Sequence, residues 1–215
     1  MNIKLKLLSI SLIKAHLFYY PSLKKKLRKN KTKQKTVFID RDGTLIEEVN
    51  FLSRLEDLRF FDYTNEAIRL LKESGFLIIV VTNQSGIGRE IFAESAMHAI
   101  HTQIQIELTE KLDAFYFCPH LPTDNCACRK PNIKMIETAC ASFPIDLENS
   151  WMIGDKAIDV ETGFNAGIKT ALVLTGYGKK TVETLERRPD LIAENLLEAV
   201  KSITNYELKM NFPLS

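Results

Sequence analysis

Val37-Phe38-Ile39-Asp40-Arg41-Asp42-Gly43-Thr44-Leu45 is the stretch whose reading decides the fold. Three apolar residues, two of them β-branched, read as a buried parallel strand, and Gly43-Thr44 as the turn that ends it. Asp40 and Asp42 are thereby delivered to the carboxyl end of a strand, where open α/β sheets bind their ligands. A turn starting at Arg41 aims the two carboxylates at one centre from different directions. Such a pair can divide labour between nucleophile and acid or base. The competing reading is an Asp-rich turn that ends a strand and faces only water, since Asp and Gly are ordinary turn residues.

Three further segments weigh against that bland reading. Phe76-Leu77-Ile78-Ile79-Val80-Val81 is a second apolar run and ends in Thr82-Asn83-Gln84-Ser85-Gly86. Ser150-Trp151-Met152-Ile153 ends in Gly154-Asp155-Lys156, with Asp159 close behind. Between them lies Cys128-Arg129-Lys130-Pro131. Each sets polar groups suited to phosphate directly after a buried strand or tight turn.

Outward from these motifs, strands and helical stretches alternate. Strands are expected at 36–40, 76–82, 113–117, 150–154, 170–174 and, at an edge, 191–193. Helices are expected near 64–74 (stopped by Gly75), 93–111, 132–142, 157–166 and 194–203. This order argues for an α/β fold, a doubly wound parallel sheet. Only about forty residues separate Asp42 from Thr82, which leaves no room there for a large cap domain.

A length of 215 residues and ordinary apolar (45%) and charged (26%) fractions suit one soluble core. The net charge of +2 is made of +11 in residues 1–36 and −9 in the remainder. An acidic body gives nucleic acid no footing. Leu5 to Tyr20 is too short and too often interrupted, by Lys6, Lys14 and His16, to span a bilayer, and no signal-cleavage site follows. Residues 1–35 are therefore expected to be a basic, disordered extension without a catalytic role. A membrane-surface tether, an organelle-targeting segment and an upstream start site remain open accounts of it.

Cys118, His120, Cys126 and Cys128 fall within eleven residues, whereas Cys140 stands alone on an expected helix as a packed small hydrophobe. Three sulfurs and an imidazole suit tetrahedral zinc, and with all four positions taken by protein the metal would be structural. The alternative is a polar loop with free thiols. Directly after it, Pro131 restricts Lys130 to extended backbone. A metal one residue upstream would pre-organise Arg129 and Lys130 over a reacting phosphate.

Taken together, these segments resemble the haloacid dehalogenase superfamily. Within it they resemble the branch that holds heptose-bisphosphate and histidinol-phosphate phosphatases. The resemblance rests on Asp40-Arg-Asp-Gly-Thr44, Val81-Thr-Asn-Gln-Ser-Gly-Ile-Gly-Arg89, Cys118-Pro-His with Cys126-Ala-Cys-Arg-Lys-Pro131, and Ile153-Gly-Asp-Lys156. Gln84 to Arg89 and Leu174-Thr175-Gly176-Tyr177-Gly178 bring the heptose-bisphosphate side nearer. It spans about residues 36–205, which makes that stretch the phosphatase domain and 206–215 a tail.

The resemblance implies a phosphomonoesterase in which Asp40 is the nucleophile, Asp42 the acid and base, and Thr82 and Lys130 hold the phosphoryl oxygens. It implies Mg2+ on Asp40, the Asp42 carbonyl and Asp155, and structural Zn2+ on Cys118, His120, Cys126 and Cys128. Substrate contacts fall to Glu48, Val49, Asn50, Phe51, Asn83, Gln84, Ser85, Arg129 and Lys156. The implied partner is a small phosphorylated sugar, a heptose bisphosphate first, with histidinol phosphate as the alternative enzyme reading. A zinc-stabilised binding module that has lost catalysis is the alternative from another class. No nucleic acid and no transmembrane segment are expected, and a cytoplasmic monomer is. Two departures stand out: Glu90 follows Arg89 where relatives often carry Gly, and Asn50-Phe51 replaces a Gly-Tyr pair.

Overall fold

A computed structural model describes residues 32–211, with side chains up to 204. Six strands form one wholly parallel sheet: β1 (Gln34–Ile39), β2 (Leu77–Asn83), β3 (Ala114–Cys118), β4 (Ile145–Gly154), β5 (Lys169–Val173) and β6 (Leu191–Ala193). Their spatial order is β3-β2-β1-β4-β5-β6. The chain moves outward one way from β1 and then returns to start the other way at β4, so the sheet's switch point lies between these two strands. Asp40 follows β1 and Asp155 follows β4, and the two motifs therefore straddle the crevice where such sheets bind ligands.

Both faces of the sheet are covered, which is why its central strands read as unbroken apolar runs. Alternate residues go to opposite sides. Val37, Ile39, Ile78, Val80 and Ile153 face one core, shared with α1 (Thr64–Glu73), α3 (Glu94–Glu107) and α7 (Leu196–Asn211) through Ile68, Leu71, Ile100, Ile104 and Val200. Phe38, Ile79, Val81 and Met152 face the other, against Met135, Ile136 and Ala139 of α4 (Lys134–Ser142). Between β4 and β5 runs α5 (Ala157–Ala166), and Gly163 lets it lie close to Met152 and Thr170. No inserted domain separates Asp42 from Thr82. That stretch holds the 3-10 turn Leu55–Asp57 and α1, tied to the body by the buried Leu45, Ile46, Leu52 and Leu58.

Several boundaries differ from expectation, each for a local reason. β4 starts at Ile145, five residues early, because Gln34 and Lys35 pair with Ile145 and Asp146 before a register shift. The Ser150 hydroxyl accepts the Thr36 N–H (2.9 Å) at that irregularity and replaces the lost ladder bond. α3 stops at Glu107, not at 111, where the Gln105 side chain bonds both the N–H and the carbonyl of Leu112. β3 begins after Asp113, whose carboxylate accepts from the Ile78 N–H (2.7 Å) and from Lys72 (2.6 Å). The closing helix begins at Leu196 and runs to Asn211, beyond the expected 203 and into the stretch read as a tail. Two short helices were not expected, α2 (Ser85–Gly88) and α6 (Gly178–Thr184). The readings of 1–31 and 212–215 lie outside the described residues. Among the described residues no helix is long and apolar enough to cross a membrane.

Glu90 adopts φ +58° on an exposed turn after α2. A side chain in the left-handed region costs on the order of 1 kcal/mol. Glu90→Gly is therefore expected to raise unfolding free energy by about 0.5–1 kcal/mol in urea titrations, the gain being trimmed by glycine's larger unfolded-state entropy.

Candidate active site

The carboxyl ends of β1, β2 and β4 converge on Asp40. This carboxylate is 4% exposed. Its Oδ1 accepts the backbone N–H of Arg41 (2.8 Å) and lies 2.9 Å from Lys130 Nζ, while Lys156 Nζ stands 4.0 Å from Oδ2. Burial alone would raise the Asp40 carboxyl, but Lys130 and Lys156 outweigh it and hold the group below the ordinary carboxylate range. A buried, ionised and cation-flanked carboxylate at the end of a central strand has the character of a nucleophile.

Lys130 is 3% exposed, and three oxygens surround its ammonium: Asp40 Oδ1, Asp159 Oδ1 (2.6 Å) and the Val81 carbonyl (2.9 Å). Its three donors thus have three acceptors, and the charge stays in place despite burial. Asp159 is fully committed, because its Oδ2 accepts the Lys156 N–H (3.0 Å) at the start of α5. Asn83 clamps the Lys130 backbone from both sides, Oδ1 accepting its N–H (3.0 Å) and Nδ2 donating to its carbonyl (3.2 Å).

Asp155 is wholly buried and only half satisfied. Its Oδ2 accepts the Tyr177 N–H (2.8 Å), whereas Oδ1 has no hydrogen-bond partner. Gly43 (φ +84°) and Gly176 (φ +52°) press against this carboxylate, and a Cβ on either would collide with Oδ2. Burial, then repulsion from Asp40, pushes the Asp155 carboxyl up to about 7. Carboxylate oxygens of Asp40, Asp155 and Asp159 lie within 4.8 Å of one another. Around them Asp40, Asp42, Glu48, Asp155 and Asp159 face the cations Arg41, Lys130 and Lys156, an excess of two negative charges when all are ionised. An orphaned oxygen beside a glycine cradle and a local deficit of two positive charges fit a small dication with oxygen ligands. Asp40 and Asp155 would hold it. Asp159, with both oxygens spent, anchors Lys130 instead.

Over this centre opens a cleft of about 120 Å³. Glu48, Val49, Asn50 and Phe51 of the loop after β1 line it, with Asn83, Gln84 and Ser85 after β2, Lys156 after β4, and Asp42. Glu48 bonds Lys156 (3.1 Å). Phe51 is 37% exposed and takes φ +54°.

Beside it the loop after β3 gathers Cys118, His120, Cys126 and Cys128. Five of the six separations between their sulfurs and His120 Nδ1 fall between 3.2 and 3.6 Å. Tetrahedral zinc with bonds of about 2.0–2.3 Å sets its ligands roughly 3.3–3.8 Å apart, so the donor set fits that metal. Burial pushes the Cys118 thiol up, which makes a shared cation the natural way to keep these sulfurs together as thiolates. Asn132 Nδ2 bonds the Cys126 carbonyl (2.9 Å) and Arg129 Nη1 the His120 carbonyl (3.1 Å), lacing the loop to the Lys130 segment.

A family model described as HAD-hydrolase-like matches residues 127–199. The chain is 37% identical to the D-glycero-D-manno-heptose-1,7-bisphosphate 7-phosphatase of Thermosynechococcus vestitus over 187 residues, 79% of this chain and 95% of that one. It is 35% identical to the D-glycero-beta-D-manno-heptose-1,7-bisphosphate 7-phosphatase of Haemophilus ducreyi over 177 residues, 78% of this chain and 97% of that one. The chain belongs to the heptose-bisphosphate phosphatase branch of the haloacid dehalogenase superfamily. A solved relative, the D,D-heptose 1,7-bisphosphate phosphatase from B. bronchiseptica complexed with magnesium and phosphate, superposes with a TM-score of 0.75 at 27% identity. The superposition covers 80% of this chain and 99% of that one.

Most residues expected at the site of this phosphatase do gather there, but three assignments change in detail. Arg129 does not line the cleft. Its guanidinium turns to the cysteine loop and, with Cys126 and Asn132, lines a second cavity of about 380 Å³. Asn83 borders the cleft, yet both polar atoms of its side chain are spent on Lys130. Asp42 lines the cleft as expected, but its carboxylate is already engaged by the protein. Its carboxylate is forked by Arg41 (2.9 and 3.1 Å) and bonded by Gln84 Nε2 (2.9 Å). Sequence reasoning missed Arg41 and His101, which meet across sixty residues. Arg41 lay inside the motif, but a side chain between two aspartates gives no sign that it turns into the core.

Two outcomes follow from this geometry. Gly176→Ala should displace the Asp155 carboxylate and weaken Mg2+ binding about tenfold or more, read directly by calorimetric titration of the folded protein. Purified protein should carry about one zinc per chain by elemental analysis. Chelation should lower its melting temperature, while Cys126→Ser protein, already without zinc, should not respond.

Proposed function

We propose that this phosphatase removes the 7-phosphate of D-glycero-D-manno-heptose 1,7-bisphosphate through a phosphoryl group carried on Asp40. The observation that carries this reading is the Asp40 carboxylate itself, buried and kept anionic by Lys130 and Lys156 beside an Asp155 whose Oδ1 accepts no hydrogen bond. Support for the substrate comes from the relatives' names and from the cleft.

In the first step an Asp40 oxygen bonds to phosphorus in line with the sugar oxygen. The bond from phosphorus to that oxygen breaks, and Asp42 supplies its proton. Lys130, set 2.9 Å from Asp40, would neutralise charge on the phosphoryl oxygens as it redistributes, and the Thr82 hydroxyl at the end of β2 would donate to them. In the second step water attacks phosphorus, Asp42 takes the water proton, and the bond from Asp40 to phosphorus breaks. Phosphate leaves and both carboxyls are restored. A magnesium ion on Asp40, the Asp42 carbonyl and Asp155 would offset the repulsion between a dianionic phosphate and an anionic nucleophile.

The cleft suits a polyhydroxylated substrate. Glu48, Asn50, Gln84, Ser85 and Lys156 offer acceptors and donors around the rim, and Phe51 offers one exposed aromatic face. Among the described residues no domain is inserted after Asp42, and the short loops border the cleft.

Asp40→Asn is expected to lose turnover by on the order of 10³-fold or more while keeping its melting temperature within a few degrees. Equal activity in mutant and parent would end the covalent reading. Side-by-side assays with Mg2+ should give higher kcat/KM for heptose bisphosphate than for histidinol phosphate, and the reverse order would reassign the substrate.

A further inference from the structure

The buried arginine between the two aspartates has work that the reaction above leaves unassigned. Arg41 is 1% exposed, and four groups meet it. Its backbone N–H bonds Asp40. Nε and Nη2 fork onto Asp42, Nη2 also reaches Gln84 Oε1 (3.1 Å), and Nη1 lies 3.3 Å from His101 Nε2. Gln84 closes the set, its amide donating to Asp42 Oδ2 and to Thr82 Oγ1 (both 2.9 Å). One residue thus touches both carboxylates of the motif, and its far end rests on a histidine from α3.

We infer that His101 is a positioning residue for the acid–base step: it seats Arg41, which with Gln84 receives Asp42 as a carboxylate. This rests on the reading of Asp42 as acid and base. An arginine only donates, so Nε2 of His101 must present its lone pair, and the ring is neutral with its proton on Nδ1. Burial, then the charge of Arg41 and the neighbouring His98, pushes His101 down to about 3, so it stays an acceptor throughout the neutral range. Phe115 stacks on the ring at 4.4 Å and Phe117 meets it edge-on at 6.4 Å, both from β3. These contacts fix where Nε2 points. With Gln84 Oε1 on Nη2 and His101 Nε2 on Nη1, the guanidinium is held from its far side in the orientation that forks onto Asp42.

The chemical consequence concerns the proton. When Asp42 gives its proton to the sugar oxygen, the electron pair of the breaking bond to phosphorus takes it up. The carboxylate left behind is the species that the Arg41 fork binds, through charge-assisted bonds to both oxygens. Arg41 and Gln84 therefore hold that carboxylate in one place between the two steps. When water attacks in the second step, Asp42 takes a proton back and leaves the fork. An alkoxide is a poor leaving group and needs this help, whereas p-nitrophenolate departs without a proton.

The test is single-turnover phosphoryl transfer, with enzyme in excess and Mg2+ present, on heptose bisphosphate and on p-nitrophenyl phosphate. His101→Phe, which removes the acceptor, should slow transfer from the sugar ester about tenfold or more and change the aryl ester less than about twofold. His101→Gln, which restores an acceptor near Nε2, should return the sugar ester to within about threefold of the parent. His101→Leu, carried alongside, keeps the comparison available if the phenylalanine variant folds poorly. Equal slowing on both esters, or no slowing on the sugar ester, would overturn the inference. The parent is measured first on both esters. A parent inert to both would overturn the proposed transfer to Asp40 and this inference with it, whereas an active parent isolates the question to His101.

Discussion

The ammonium of Lys130, buried among Asp40, Asp159 and the Val81 carbonyl, is the contact on which the rest of the site depends. Isolated, any of these charges would be driven to its neutral form by burial. Together they stay ionised, and three strands are fixed relative to one another by one nitrogen: β1 through Asp40, β2 through Val81, and β4 through the α5 residue Asp159. Breaking such a set by removing one partner leaves a charge in the core without compensation, which typically costs several kcal/mol. Much of the surrounding structure serves to bring this lysine in at the right height. Asn83 grips its backbone, and the sulfur loop directly upstream is laced to it by Asn132 and Arg129. The zinc-type loop is thus best understood as a clamp on the approach to Lys130, and the cation it steers to the centre is the lysine, with the arginine serving as a strap.

Much of the fold was legible in the sequence because the central strands are buried on both faces. Phe38-Ile39 and Leu77 to Val81 can hardly be anything else between turn residues and amphipathic helices. What could not be read were features built from contacts distant in sequence. The early half of β4, with Asp146, Glu148 and Asn149, looks like loop. It becomes strand only because the edge of β1 offers Gln34 and Lys35 as partners. The shortening of α3 at Glu107 comes from Gln105 capping a turn seven residues on, and nothing in the local pattern shows that.

The site divides in the same way. Residues whose role follows from position on a strand end, Asp40, Thr82 and Asp155, stand where the motifs put them, as does Lys130 after its turn. Side-chain direction was less legible. Arg129 and Lys130 are adjacent cations of similar promise, yet their side chains serve opposite walls, Lys130 the carboxylates and Arg129 the metal loop. Asn83 looked free to meet a ligand and is consumed by the protein. Both cases follow one rule: a buried backbone or charge must be satisfied first, and the nearest flexible polar side chain is recruited to do it.

This ordering of needs also explains where the molecule can vary without losing its chemistry. The centre is tightly constrained, since the three donors of Lys130 all have acceptors, both oxygens of Asp159 are bonded, and a Cβ at Gly43 or Gly176 would collide with Asp155. The rim is not. Phe51 holds a left-handed backbone and is 37% exposed, in a loop that lines the cleft. A left-handed backbone at an aromatic residue costs free energy, and such positions cluster where a ligand is held. Contact with a bound substrate would offset that cost, because an aromatic face against the carbon side of a polyol gains what the empty loop lacks. Discrimination among phosphorylated sugars is therefore expected to reside in the loop after β1, and the capacity to cleave a phosphate ester in the lysine-centred core beneath it.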